Sequence, residues 1–152
     1  MEQQDNLYMG LAIAQAEQAA QIGEVPIGAV LVMGGEVIAA AYNRRETWHD
    51  ATAHAEILAI RAACTILGRW RLTGATLYVT IEPCPMCAGA LVMSRIDRLV
   101  YGSADYKAGA IESLFNIVQH KSMNHQVSVT AGVRSEECSA LMKNFFRKRR
   151  TL

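Results

Sequence analysis

The chain has 152 residues, 51% of them hydrophobic and 19% charged, with 15 Lys and Arg against 14 Asp and Glu for a net charge of +1. That length and apolar content suit a single domain spanning 1–152 and exclude intrinsic disorder. The near balance of charge points to no nucleic-acid or membrane partner by itself, and no apolar run approaches the roughly 18 residues a membrane-spanning helix needs.

Residues 5–22 repeat Leu7, Leu11, Ala14 and Gln18 at helical spacing, and Gly23 ends the run. Ile27 to Val32 is continuously apolar, Gly34-Gly35 signals a hairpin turn, and Glu36 to Tyr42 reads as its second strand. After a polar stretch, Thr52 is placed to cap a helix from Ala53 to Leu67, which Gly68 closes. Gly74 precedes a strand from Thr76 to Ile81, and Pro83 and Pro85 mark entry into a helix over about 85–94. Arg98 to Tyr101 reads as a fourth strand, 111–116 as a short helical piece, Val127 to Thr130 as a fifth strand, and Ser135 to Arg149 as a final helix. Strands that alternate with helices after an initial hairpin predict an α/β fold with a mixed, mostly parallel five-stranded sheet between helix layers.

The N-terminus, Met1-Glu2-Gln3-Gln4-Asp5, carries acids where a secretory leader carries Lys or Arg, so a cytoplasmic location is expected. Cysteines in a reducing compartment serve as metal ligands or free thiols more readily than as disulfides. Cys64 and Cys138 read as buried free thiols. Cys84 and Cys87 do not. They lie three apart at a predicted helix start, where the helix dipole and free amides favour thiolates and both sulfurs fall on one side. His54 opens another predicted helix, and Glu56 follows two residues later. Two thiolates and an imidazole make a three-ligand zinc site, which leaves a fourth position for water, as catalytic zinc sites do. A carboxylate beside such a water can accept its proton and return it to a leaving group. A closed, structural site remains the alternative and would draw a fourth ligand from His49, Cys64 or His120; a redox dithiol would leave His54 and Glu56 without a role. The ordered pair His-x-Glu and Pro-Cys-x-x-Cys is the signature of zinc deaminases acting on nucleobases.

Residues 143–150, Lys-Asn-Phe-Phe-Arg-Lys-Arg-Arg, hold five cations in eight positions. They suit phosphate contacts and equally suit a solvated helix end. Trp48 and Trp70 could stack on bases, although burial is the expectation for both, and His120 and His125 read as loop or core histidines. Asn43 reads on its own as a turn residue.

With these motifs in place, the chain resembles the cytidine deaminase superfamily, and within it the branch of bacterial tRNA adenosine deaminases. The resemblance runs from Gly23-Glu24-Val25-Pro26-Ile27-Gly28 through Thr52-Ala53-His54-Ala55-Glu56 and Glu82-Pro83-Cys84-Pro85-Met86-Cys87. The narrower match lies in Asp105-Tyr106-Lys107-Ala108-Gly109-Ala110, Asn124-His125 and Phe145-Phe146-Arg147-Lys148. It implies a cytidine deaminase-like three-layer α/β/α fold, one Zn2+ per subunit held by His54, Cys84 and Cys87, and a homodimer. It implies conversion of the wobble adenosine of an arginine tRNA anticodon to inosine, by zinc-activated water attacking C6 with Glu56 as the proton shuttle. Ile27 and Asn43 are then expected against the target nucleotide, with Ala55 and Pro83, beside the metal motifs, as further substrate-binding residues. Asp105, Lys107, Phe145, Phe146 and Arg147 are expected against flanking nucleotides. Ala51 departs from the family pattern, which has proline there; a looser loop before His54 is the expected consequence.

Overall fold

The computed structural model describes residues 1–150; residues 151 and 152 of the expected domain lie outside the described residues. Helix α1 (Glu2–Gln21) leads into the hairpin β1 (Gly28–Met33) and β2 (Glu36–Tyr42). Then follow α2 (Ala55–Leu67), β3 (Thr76–Ile81), α3 (Pro85–Met93), β4 (Arg98–Ser103), β5 (Ser128–Ala131) and α4 (Ser135–Arg150). The sheet order is β2-β1-β3-β4-β5. β1 runs antiparallel to both of its neighbours, while β3, β4 and β5 pair in parallel. Four of the five strands therefore point one way, and β1 alone is reversed.

Strand alternation gives the sheet two apolar faces, each covered by a helix layer. Ala29, Leu31, Leu77, Val79, Leu99 and Tyr101 pack with Ala59 and Ala63 of α2 and with Ala88, Leu91 and Val92 of α3. On the opposite face, Val30, Val32, Tyr78 and Val100 pack with Met9, Ala12 and Ile13 of α1 and with Cys138 of α4. Small residues bring α1 close to the sheet. A Cβ on Gly28 would lie 2.1 Å from the Ala12 carbonyl oxygen, so no larger residue fits this crossing without moving the helix.

Most predicted elements stand within a residue or two of their expected bounds, and the exceptions have physical reasons. Helix α2 starts at Ala55, with His54 as its N-cap in extended conformation (φ −79°, ψ 150°). Thr52 does not cap it, because its amide and hydroxyl both donate to Asp50 Oδ1, at 2.8 and 2.7 Å, within the preceding loop. That clasp orders the loop around Ala51. The expected helical piece near 111–116 is absent; the segment forms turns, because a buried carboxylate binds the amides of Ile111, Glu112 and Ser113. Trp48 and Trp70 are both more than half exposed, contrary to expectation. Arg44 stacks over Trp48 at 5.3 Å and Arg71 over Trp70 at 4.7 Å, which covers each indole face with a guanidinium in place of core. His120 Nδ1 accepts from the Ser122 amide within its own loop, while His125 Nε2 donates to the Ile96 carbonyl at 2.7 Å and ties that loop to the turn between α3 and β4.

One buried polar cluster ties α1 to the sheet. Arg98 donates to both Asp5 oxygens, at 2.8 and 2.7 Å, and to Thr130, while Tyr78 Oη donates to Asp5. The Arg98 guanidinium, with help from the Tyr78 hydroxyl, holds the Asp5 carboxyl below its ordinary range against the opposing effect of burial. A depressed folded pKa stabilises the fold above the ordinary aspartate value of about 4, and that contribution is lost as pH falls through the folded value. Arg98→Ala strands a buried carboxylate and is expected to cost about 3 kcal/mol in urea unfolding at pH 7. Asp5→Asn, measured across pH 2–6, is expected to flatten the acid limb of the stability curve.

Candidate active site

Parallel strands collect their carboxyl ends on one edge of a sheet, and ligands bind beyond that edge, where helix N-termini converge. Here the reversal of β1 brings its N-terminal end to the same edge. Asn43 donates its amide to the Ile27 carbonyl at 3.1 Å, one step beyond the Gly28–Tyr42 rung of the hairpin. Arg44 donates to the Ala53 carbonyl at 2.9 Å, which carries the chain onward to His54. Two residues far apart in sequence, Ile27 and Asn43, are thus neighbours beside the α2 entrance. Asn43 is buried and Ile27 partly so.

His54 and Cys84 are the N-caps of α2 and α3, and neither uses its side chain to cap. Both side chains turn instead toward one point. His54 Nδ1 lies 3.6 Å from Cys84 Sγ and 3.5 Å from Cys87 Sγ. The three donor atoms all lie within 4.8 Å of one another, and among the described residues no other His, Cys, Asp or Glu joins them. A tetrahedral zinc with bonds of about 2.3 Å to sulfur and about 2.0 Å to nitrogen would space those donors about 3.5 Å apart. The group can hold a metal ion and fits that geometry. It draws nothing from His49, Cys64 or His120.

Spacing alone could not place Glu56 here, since residues two apart in a helix face different sides. The resolution lies in the backbone: His54 is extended and outside the helix, and Glu56 belongs to its first turn. Its carboxyl is only 4% exposed. Burial pushes it up to about 7, although its own backbone amide and the charge of His54 oppose the rise. A carboxyl poised near neutrality suits reversible proton transfer. The sulfurs are also perturbed. Cys84 is drawn down to about 4, chiefly by the hydrogen bond from the Cys87 thiol and then by His54, against the effect of burial. Hydrogen bonding to Cys84 raises His54. Two sulfurs that share one proton in this way are prepared for a cation that displaces it.

The flanking residues divide into two groups. Ala55 and Pro83 are buried beside the cysteine and histidine motifs, and the Pro83 carbonyl accepts from the Ala110 amide at 2.8 Å. Asp105 and Lys107 sit on the loop after β4, where Asp105 Oδ1 accepts from the amides of Lys107 and Ala108, each at 3.1 Å. A cleft of about 270 Å³ separates this loop from α4 and is lined by Ile81, Tyr106, Lys107, Ser139, Met142 and Lys143. Phe145 and Phe146 lie one turn further along α4, with ring centroids 5.3 Å apart and edge to face. Phe145 is partly buried beneath the Arg149 guanidinium, while Phe146 and Arg147 are exposed.

Sequence reasoning overlooked two residues at this edge. Glu24 is fully buried, and its carboxylate accepts from the Glu46 and Thr47 amides and the Thr47 hydroxyl. Glu82 is its counterpart on the other side and accepts from four amides and a hydroxyl. Each stands two residues before a proline, or directly before one, and no periodicity distinguishes such a residue from a solvated acid.

A fold of this kind, with an imidazole, two sulfurs and a buried carboxyl at its carboxyl edge, is that of a nucleobase deaminase, and the comparisons agree. The family model of MafB19-like deaminases matches residues 3–150. A tRNA-specific adenosine deaminase of Bacillus subtilis (strain 168) is 55% identical over 147 residues, covering 97% of this chain and 91% of its own length. One from Haemophilus influenzae is 48% identical, covering 96% and 85%. A solved structure from work on A-to-I editing by tRNA:A34 deaminases at the wobble position of transfer RNA superposes with a TM-score of 0.85 at 48% identity, covering 88% of this chain and 97% of that one. The chain belongs to the family of tRNA-specific adenosine deaminases.

Proposed function

We propose that this chain is an enzyme that deaminates the wobble adenosine, position 34, of a tRNA anticodon to inosine, with an arginine tRNA as its substrate. The observation that carries the reading is the placement of Glu56, buried and hydrogen-bonded to Cys87 beside a donor group that takes no fourth ligand among the described residues. A binding module stabilised by metal would have no use for that carboxyl.

The residues present fit zinc, which prefers mixed sulfur and nitrogen donors in a tetrahedral arrangement. When bound by His54, Cys84 and Cys87, the ion would lower the pKa of a water to about 7 and so supply a nucleophile at neutral pH. Glu56 takes one proton from the attacking water and delivers it to N1 of the adenine as the water oxygen bonds to C6, and then carries the second proton of that oxygen to the departing amine. The C6–N bond breaks, ammonia leaves, and a carbonyl oxygen remains at C6. Ile27 packs against the extruded base and Asn43 hydrogen-bonds its nucleotide, which the walls beside α2 position. Backbone amides near Ala55 and Cys84 orient the tetrahedral centre, and Pro83 lines the substrate site. The base must leave its stack to enter, which an unpaired anticodon loop permits at little cost. Asp105, Lys107, Phe145, Phe146 and Arg147 hold the neighbouring nucleotides, the aromatic rings by stacking and the cations through phosphates.

Incubation of the purified protein with an arginine tRNA anticodon stem-loop is expected to yield inosine at the wobble position and one ammonia per conversion. Free adenosine, cytidine and guanine should neither react nor compete. Turnover of a free base or nucleoside without turnover of the RNA would overturn the proposal in favour of small-molecule deamination.

Among the described residues no helix is long and apolar enough to cross a membrane. A cytoplasmic enzyme, with the whole chain acting as one domain, fits the tRNA substrate. A homodimer is supported by α3, whose inner side is buried through Cys87, Ala88, Leu91 and Val92. Its outer side leaves Met86 and Met93 exposed, at 37% and 69%, with Gly89 between them. Residues at that spacing line one side of a helix, and apolar stripes of this kind mark contact surfaces. Light scattering at micromolar concentration is expected to give twice the chain mass of 16.6 kDa; a monomeric mass would refute the dimer.

A further inference from the structure

We infer that Glu82 is a positioning residue for RNA: it fixes the loop between β4 and β5 relative to the cysteine motif and so sets where Asp105 and Lys107 meet the substrate. The inference rests on the functional reading above and deepens it.

Glu82 is 3% exposed and directly follows β3, two residues before Cys84. Among the described residues, every hydrogen bond its carboxylate accepts comes from the loop after β4. Oε1 takes the Asp105 amide at 3.0 Å and the Ser113 hydroxyl. Oε2 takes the amides of Ile111 at 3.1 Å, Glu112 at 2.8 Å and Ser113 at 2.9 Å. Asp105 and the turn at 111–113 are thus gathered on one side chain, and the Glu82 amide adds a bond to the Ser103 carbonyl at 2.9 Å.

A second observation is independent of these bonds. Gly109 sits against the carboxylate so closely that a Cβ would lie 2.4 Å from Glu82 Cδ and 2.5 Å from the Asp105 carbonyl oxygen. Its φ is not in the left-handed region, so the demand for glycine here comes from close approach to Glu82 and not from backbone conformation. The same turn donates the Ala110 amide to the Pro83 carbonyl, the residue directly before Cys84. The loop that carries Asp105 and Lys107 is therefore locked to the segment that carries the sulfurs. Displacing it would misplace flanking-nucleotide contacts while leaving His54, Cys84, Cys87 and Glu56 in place.

Two variants test this. Glu82→Gln keeps the shape and turns half of the acceptor surface into a donor that faces amides; Gly109→Ala pushes on the same contact with no change of charge. Each is expected to retain one bound zinc per chain, to lose hydrogen-exchange protection at the amides of residues 111–113, and to raise KM for the anticodon stem-loop tenfold or more with kcat changed less than threefold. Glu82→Asp, which keeps the charge on a shorter arm, should recover part of the affinity. Native turnover with an unchanged KM in both variants, despite lost protection, would overturn the inference and leave the functional reading intact. Loss of zinc together with kcat would overturn it too, by making Glu82 a prop for the metal motif. If the native protein does not deaminate the stem-loop, the functional reading falls, and the positioning of RNA falls with it. Should Glu82→Gln fail to fold, Gly109→Ala carries the same outcomes.

Discussion

Glu56→Ala is expected to retain one zinc per chain and the native affinity for an anticodon stem-loop while losing turnover by roughly 100 to 10,000-fold, the range that a positioned acid–base group contributes. The separation follows from geometry. His54, Cys84 and Cys87 supply all three donor atoms, and Glu56 is not one of them. Contacts to the flanking nucleotides are assigned to the β4–β5 loop and to α4, and those to the target nucleotide to Ile27 and Asn43, so none of them is made by this carboxyl. What the substitution removes is the proton carrier alone. A smaller side chain also relieves the burial of a charge, so the variant should be no less stable than the native protein in thermal melts. Metal content by atomic absorption, binding by fluorescence anisotropy and ammonia release read the three quantities separately. Ammonia release at the native rate would remove Glu56 from the mechanism.

How far the sequence revealed this site depended on the kind of signal each residue leaves. Cys84, Cys87, His54 and Glu56 were legible because ligand chemistry constrains residue type and order, and two short motifs at helix starts leave few other readings. The hairpin and the helices were legible from Gly34-Gly35 and from apolar spacing. Three features were not. The reversal of β1 against β3 is a matter of topology: a continuous apolar strand buried on both faces reads the same in either direction. The absent helix at 111–116 was hidden because local propensity there is overridden by Glu82, a residue about 30 positions away, whose acceptors satisfy the amides that a helix would leave free. The exposure of Trp48 and Trp70 was hidden because the stacking arginines come from neighbouring turns, and a hydrophobic index counts an indole as core wherever it stands. The two buried glutamates share this property. Glu24 and Glu82 show their importance only when the loops they bind are in view.

Cys84→Ala is expected to abolish zinc binding and to make the protein indifferent to chelators. Cys84 is the N-cap of α3, and Cys87 lies within the first turn of that helix. His54 caps α2. A metal held by all three would tie two helix starts, from two crossovers on one face of the sheet, to a single point. An ion that binds only the folded chain stabilises it by mass action, about 3 to 4 kcal/mol when its concentration is a few hundred to a thousand times Kd. The native protein should therefore lose thermal stability when a chelator is added, by an amount set by free zinc. Cys84→Ala should begin at the lower melting temperature and stay there. The remainder of the fold does not depend on the ion: the two apolar faces of the sheet are covered by α1 and α4 on one side and by α2 and α3 on the other. The variant should thus unfold cooperatively at its reduced temperature, with native far-ultraviolet circular dichroism below it. A chelator-dependent shift that persists in Cys84→Ala would mean that the ion is held elsewhere. An unfolded variant would mean that the metal builds the fold as well as the site, and Cys87→Ser, which keeps an oxygen donor in the same turn, would then measure how much of that stability returns.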